Sequence, residues 1–372
     1  MKGCKLTMAS TNTTLFLTLL TIIIIFVNNK CNVEALPKFP AILSFGDSTV
    51  DSGNNNYIAT AAKGNFLPYG QDFPGHKPTG RFSNGKLATD FITSHLGIKE
   101  TLPPFLDPNL SDEELISGVS FGSGGSGYDD LTSSLARVIS MPRQIQLFGE
   151  YVERLKSTVG EQMGNKILRE VLVIVSSGTN DFIINFYDMP TRRLRYNISG
   201  YQDFLHSKLQ DFVKELYNMG CRRIVVTGLP PIGCLPIQLT AKFKNPLDRR
   251  CLEDQNADAQ SYNYKLQKLL PQIQKILPGS LILHANIYDP LFDMINNPQK
   301  YGFVETTRGC CGTGLLEVAF ICNPITPTCG KASQFVFWDS VHPSQTTYKY
   351  LAIYLEKELR PSITYLNHTY LN

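Results

Sequence analysis

Twice in this chain a short, nearly unbroken apolar run empties into a turn of glycine, hydroxyl and amide residues. Residues 41–45 stop at Gly46-Asp47-Ser48, and residues 171–175 stop at Ser176-Ser177-Gly178-Thr179-Asn180-Asp181. Five-residue runs rich in β-branched side chains suit strands buried on both faces, the usual condition of a parallel sheet covered by helices. In such sheets ligands bind beyond the carboxyl ends of the strands, so the Ser48 hydroxyl and the Asn180 amide stand where chemistry can be done. Read alone, Gly-Asp-Ser is an ordinary turn and Asn180 a turn-forming asparagine.

Further strands are expected over residues 114–121, 222–228 and 280–284, separated by segments of helical period. Asn84 is placed to cap a helix running to His95, with Leu87, Ala88, Phe91, Ile92 and Leu96 on one face. Pro142 suits the first turn of a helix over 142–159, whose apolar side carries Ile145, Phe148, Val152, Leu155 and Val159. Another helix spans 201–216 and ends at Gly220; a long one over 248–277 bends near Pro271; a last one opens at Pro343 or Ser344 and passes Leu355. Alternating strands and helices predict a parallel sheet covered on both faces. The Gly- and Pro-rich loop 57–82 and the rigid loop 229–236 are placed to wall a cleft.

The first residues belong to another task. Lys2 and Lys5 precede a 13-residue apolar run at 15–27, too short for a membrane span, and Val33-Glu34-Ala35 suits a signal peptidase. A secretory signal over residues 1–35 is expected, followed by one domain over 36–360 and a tail over 361–372 without periodicity. Cleavage removes three lysines and one glutamate and takes the formal charge from +3 to +1, which gives nucleic acid or an anionic membrane no electrostatic hold. The basic cluster Arg192-Arg193-Leu194-Arg195 reads as a solvated loop. Seven cysteines remain, enough for three disulfides and one thiol. Cys234 with Cys251 would close the loop between them, and Cys310, Cys311, Cys322 and Cys329 would staple one Gly- and Pro-rich segment. Cys221, at the approach to a strand, is the expected thiol. Adjacent cysteines are a poor tetrahedral spacing, so zinc is not expected. Asn197 and Asn367 head glycosylation sequons that a secreted chain can use.

Asp339 and His342 stand three apart, a spacing at which a tight turn lets the carboxylate hold one imidazole nitrogen while the other faces outward. Together with Phe45-Gly46-Asp47-Ser48, the run Asp51-Ser52-Gly53-Asn54-Asn55, the glycine turn at 122–127 and Gly178-x-Asn180-Asp181, this block makes the chain resemble the plant GDSL esterase/lipases, a branch of the SGNH hydrolases. Segments 66–70, 78–85 and 229–236 also match, so the resemblance covers residue 39 to about 355. It implies a three-layer α/β/α, flavodoxin-like fold around a mostly parallel five-stranded sheet. It also implies Ser48 as nucleophile, His342 as base and Asp339 as the residue orienting it, with no cofactor or metal. The oxyanion hole would be the N–H groups of Ser48 and Gly125 and the Asn180 amide. Because Ser120 and Gly122 replace the family's usual Asn and Ala, the choice between Gly124 and Gly125 stays open. The glycine turn lacks the setting of a dinucleotide fingerprint, and no Gly-x-Ser-x-Gly elbow surrounds Ser48.

The expected activity is hydrolysis of acyl or lipid esters by a secreted serine enzyme in the extracellular space or cell wall, taking a small-molecule or lipid ester as substrate. The alternatives are an extracellular acyltransferase using an alcohol such as a cutin monomer, and a noncatalytic binding protein on the same fold. Phe66, Leu67, Phe73, Ile183, Ile184 and Phe186 are candidates to line an acyl site, or else core residues.

Overall fold

The apolar five-residue runs pair side by side. β1 (Ile42–Gly46), β2 (Leu172–Ser176), β3 (Arg223–Thr227) and β4 (Leu281–Ala285) form a parallel sheet in the order 1-2-3-4, with Phe45 opposite Val175 and Val175 opposite Val226. The structure, a computed structural model, describes residues 39–242 and 248–369, with side chains as far as residue 362. The signal expected over residues 1–35 lies outside the described residues.

Between β1 and β2 the chain forms α1 (Ala88–His95), α2 (Asp112–Ile116), α3 (Asp130–Ala136), α4 (Met141–Val159) and α5 (Glu161–Glu170). α6 (Ile198–Asn218) leads to β3, and α7 (Pro236–Lys242) and α8 (Glu253–Ile276) lead to β4. α9 (Tyr288–Asn296), a parallel pair β5 (Glu305–Gly309) and β6 (Phe335–Phe337), and α10 (Gln345–Thr369) complete it. Side chains alternate across a strand, so each strand serves two layers. Phe45 packs edge-on against Phe148 of α4 and Phe212 of α6, at 5.4 and 5.6 Å between ring centres. On the opposite face Ile42, Ile174 and Val225 meet Ile92 of α1 and Ala352 and Leu355 of α10. No helix among the described residues is long and apolar enough to cross a membrane.

The expected fifth strand of the sheet does not form. Ser111 and Glu114 close a capping box that winds Asp112–Ile116 into α2. The chain then runs beside β1 for one bridge only, Ser44 to Ser120, before the glycine turn takes it away. Sheet architecture is therefore four parallel strands plus the separate pair β5–β6. Asn84 does not cap α1, at whose start Asp90 accepts from Leu87 N at 2.8 Å; it accepts instead from Gln345 N at 2.8 Å and so holds the start of α10. The buried stripe of α4 carries Met141, Gln144, Leu147, Phe148, Tyr151 and Leu155, so Phe148 and Leu155 of the expected face are core while Ile145, Val152 and Val159 are half-buried beside them. Pro271 lies within α8, and α10 continues through Pro361 to Thr369. Arg192 is not merely solvated: its guanidinium grips Asp129 at 2.6 and 2.7 Å. Burial alone would raise that carboxyl, and Arg192 holds it below the usual range.

Disulfides join Cys234 to Cys251, Cys310 to Cys329 and Cys311 to Cys322, while Cys221 is a buried thiol pushed up to about 12 by desolvation. The last two bridges enclose a cluster of Tyr69, Ala332 and Trp338, supplying the apolar mass the segment otherwise lacks.

Two constraints here are testable. Gly46 has φ of 135°, and a β-carbon on it would lie 1.8 Å from Ser176 O. Gly46→Ala should therefore cost about 3 kcal/mol or more, read as a lowered urea midpoint. Asp181 is buried, which raises its carboxyl from 3.8 to about 7 against donation from Tyr128 N, Asp129 N and the Thr132 hydroxyl. The folded state thus binds this proton more tightly than the unfolded one, so its contribution is present below pH 3.8 and is lost as pH rises through about 7. Asp181→Asn, with no proton to bind, should flatten the fall in Tm across that interval.

Candidate active site

Three strand ends and one loop meet at the carboxyl edge of the sheet. β1 ends at Gly46, and the chain turns at once: Asp47 O accepts from Val50 N at 3.2 Å and from Asp51 N at 3.0 Å. Asp47 Oδ1 accepts from the Thr49 N–H and hydroxyl at 2.9 and 2.8 Å, capping the turn with its own side chain. Burial lifts the Asp47 carboxyl to about 6. Ser48 heads this turn, and its N–H has no protein acceptor among the described residues.

Asp339 and His342 arrive from the far end of the chain. β6 is followed by a closed loop in which Trp338 N donates to His342 O at 2.7 Å and Ser344 N to Val336 O at 2.9 Å. His342 Nδ1 lies 2.7 Å from Asp339 Oδ2, and Nε2 lies 2.8 Å from Ser48 Oγ. With a carboxylate accepting at Nδ1, the proton sits there and Nε2 is left to receive the Ser48 hydroxyl. Ser48, Asp339 and His342 are 5%, 0% and 5% exposed, so the chain of bonds is dry and opens only toward the cleft.

Asp339 is fully satisfied. Oδ1 accepts from Val341 N and His342 N at 2.8 and 2.7 Å, and Oδ2 also accepts from the Tyr69 hydroxyl at 2.7 Å. Tyr69 in turn accepts from Ala319 N at 2.8 Å, inside the disulfide-stapled segment. Burial and the adjacent Asp339 charge raise the phenol well above its ordinary range, so it stays a donor. Phe82 covers the imidazole at 5.0 Å between ring centres.

The glycine turn is tied to the site through Asn180. Ser126 N donates to Ser123 O at 3.0 Å and Gly125 has φ of 91°, the positive value that a type II turn needs at its third residue. Gly124 N donates to Asp51 Oδ2 at 2.8 Å, whereas Gly125 N has no acceptor among the described residues. Of the two glycines only Gly125 has an uncommitted N–H. Asn180 Nδ2 donates to Ser126 O at 2.9 Å, which fixes the amide against the turn and leaves its second hydrogen for a ligand.

Several residues of the site were not assigned from sequence. Asn54 Nδ2 donates to Ser120 O and Gly122 O, and Asn55 Nδ2 to Gly124 O, each at 2.9 Å. Asp51, Asn54 and Asn55 thus hold the carbonyls and amides of the glycine turn. Gln144 exchanges two bonds with Gly46, receiving from its N at 2.8 Å and donating to its O at 2.9 Å. The signal was a polar residue within an apolar helical stripe. Tyr69 lies in a segment matched to the family but carried no mark of its contact with Asp339. None of Phe66, Leu67, Phe73, Ile183, Ile184 and Phe186 lines the cleft at Ser48; Ile183 and Phe186 are core, and Leu67 faces solvent. Pro230 and Leu235 of the 229–236 loop do line it. Asn197 is exposed at the start of α6, its Oδ1 accepting from Gly200 N at 2.8 Å; the side chain of Asn367 lies outside the described residues.

Residues 42–355 match the family model described as GDSL-like Lipase/Acylhydrolase. One GDSL esterase/lipase of Arabidopsis thaliana is 56% identical over 331 residues, covering 88% of this chain and 91% of its own. A second from that plant is 52% identical over 355 residues, covering 95% and 99%. With a family match over most of its length and relatives above half identity, the chain belongs to the GDSL-like lipase/acylhydrolase family.

Proposed function

We propose that this protein hydrolyses carboxylic esters through an acyl-serine intermediate, with Ser48 as nucleophile. The observation that carries the reading is the continuous path from Ser48 Oγ through both imidazole nitrogens of His342 to Asp339 Oδ2, at 2.8 and 2.7 Å, opening on a cleft. The names of the plant relatives, esterase/lipase, point to the same chemistry.

Ser48 Oγ adds to the ester carbonyl carbon as its proton passes to His342 Nε2. Negative charge then builds on the carbonyl oxygen, facing the N–H groups of Ser48 and Gly125 and the second hydrogen of the Asn180 amide. One such donor is worth about 3 kcal/mol to the transition state. The carbon–oxygen bond to the alcohol breaks, and His342 gives the proton to the departing oxygen. Water follows the same path in reverse roles: His342 takes its proton, the hydroxide oxygen adds to the acyl carbon, and Ser48 leaves with the proton returned. Asp339 holds the imidazole tautomer and stabilises its charged form throughout.

The wider reading is a flavodoxin-like SGNH hydrolase domain over residues 36–360 with a secretory signal over 1–35, acting outside the cell. Three disulfides in a chain of this size support an oxidising compartment. Asn197 suits glycan attachment, since its Nδ2 is the acceptor atom while Oδ1 alone serves the helix.

Hydrolysis of p-nitrophenyl esters by the secreted protein and by folded Ser48→Ala tests the mechanism: activity should fall on the order of 10⁴-fold or more, and full activity in the variant would sink it. Tyr69→Phe removes one donor from a buried carboxylate, so kcat should fall about tenfold while KM stays within about twofold. A rise in KM alone would assign Tyr69 to substrate binding.

A further inference from the structure

The cleft at Ser48 does not end at the reacting atoms. It continues between the sheet and the helix pair α1–α10, where Ile174 of β2, Ile92 of α1, and Leu351 and Leu355 of α10 share its walls with Ser48, Asn180 and His342. The two helices start together at the mouth: Gln345 N donates to Asn84 Oδ1 and Lys86 N to Gln345 Oε1, at 2.8 and 2.7 Å. They run away side by side, with His95 Nδ1 and Glu356 Oε1 2.7 Å apart beyond Ile92 and Leu355 in sequence. From Tyr348, by the mouth, to Leu355 is seven residues of helix, or about 10 Å.

Protein interiors are packed closely, and unfilled apolar space costs stability. Here the space is continuous with a nucleophile. Its deep walls carry no charged side chain, so a sugar, peptide or other hydrated group would lose its water without replacement. Ile92, Ile174, Leu351 and Leu355 are only 5 to 8% exposed, so the passage is slim. A branched or aromatic acyl group does not suit it.

We propose that this crevice binds the acyl chain of the ester, an unbranched chain of medium length, with Ile92 and Leu355 at its closed end. The inference rests on the reading of Ser48 as an ester nucleophile and adds where the acyl group lies. The alcohol half then leaves toward solvent.

The test compares kcat/KM for p-nitrophenyl acetate, octanoate and palmitate in the parent, Ile92→Phe and Leu355→Ala, each shown folded by near-ultraviolet circular dichroism. The parent should prefer octanoate to acetate by about tenfold or more. Ile92→Phe, filling the passage, should cut the octanoate-to-acetate ratio by about tenfold, and Leu355→Ala should raise the palmitate-to-octanoate ratio. Ratios within about twofold of the parent in both variants, or equal loss on all three esters, would overturn the proposal. Titration of free octanoate by calorimetry stands apart from turnover. Binding that weakens in Ile92→Phe supports the crevice even if no ester is cleaved, an outcome that would defeat the hydrolase reading alone. No octanoate binding and no chain-length preference in the parent would defeat the crevice while leaving the hydrolase intact.

Discussion

A carboxylate with no exposed surface is tolerated only if every lone pair finds a donor, and Asp339 is the place where this chain meets that condition. Its four donors come from three sources: the imidazole it orients, the backbone of its own loop, and Tyr69, some 270 residues away in sequence. Tyr69 is itself held by Ala319, whose neighbourhood is stapled by Cys310–Cys329 and Cys311–Cys322. The disulfides thus bear on the chemistry indirectly. They fix the segment that fixes the phenol that completes the carboxylate.

The glycine turn obeys the same logic. It has almost no side chains of its own, and Asp51, Asn54 and Asn55 supply the bonds that shape it. Ser48 and these residues lie within one short stretch of chain. Nucleophile and turn are therefore set in one frame, and the N–H groups that face a developing negative charge need not reorganise when it appears.

Strands β1 to β4 were legible because short, mostly apolar runs set between segments of helical period have few other uses in a globular chain. Ser48, Asn180, Asp339 and His342 were legible as strand-end and tight-turn residues, and the structure brings Ser48, Asp339 and His342 into one bonded chain. Where expectation departed from structure, a local competitor had won. A capping box at Ser111 outbid strand propensity over 114–121, and Asn84 found a better use at Gln345 than at its own helix. Contacts such as Tyr69 with Asp339, or Gln144 with Gly46, join residues far apart in sequence and leave no periodic trace. The crevice is of that kind too: Ile92, Ile174 and Leu355 each read as ordinary core, and only their assembly leaves a gap.

The chain's single tryptophan is Trp338, the residue before Asp339, buried among Tyr69 and the half-cystines Cys310, Cys311 and Cys322. Its indole lies 6.1 Å from the Tyr69 ring, its backbone N–H donates to His342 O, and its indole N–H has no acceptor among the described residues. The tryptophan emission of the protein therefore issues from one spot, beside sulfur atoms and within the loop that carries Asp339 and His342. Any event that reduces those bridges or displaces that loop is written directly into the fluorescence spectrum, with no label attached.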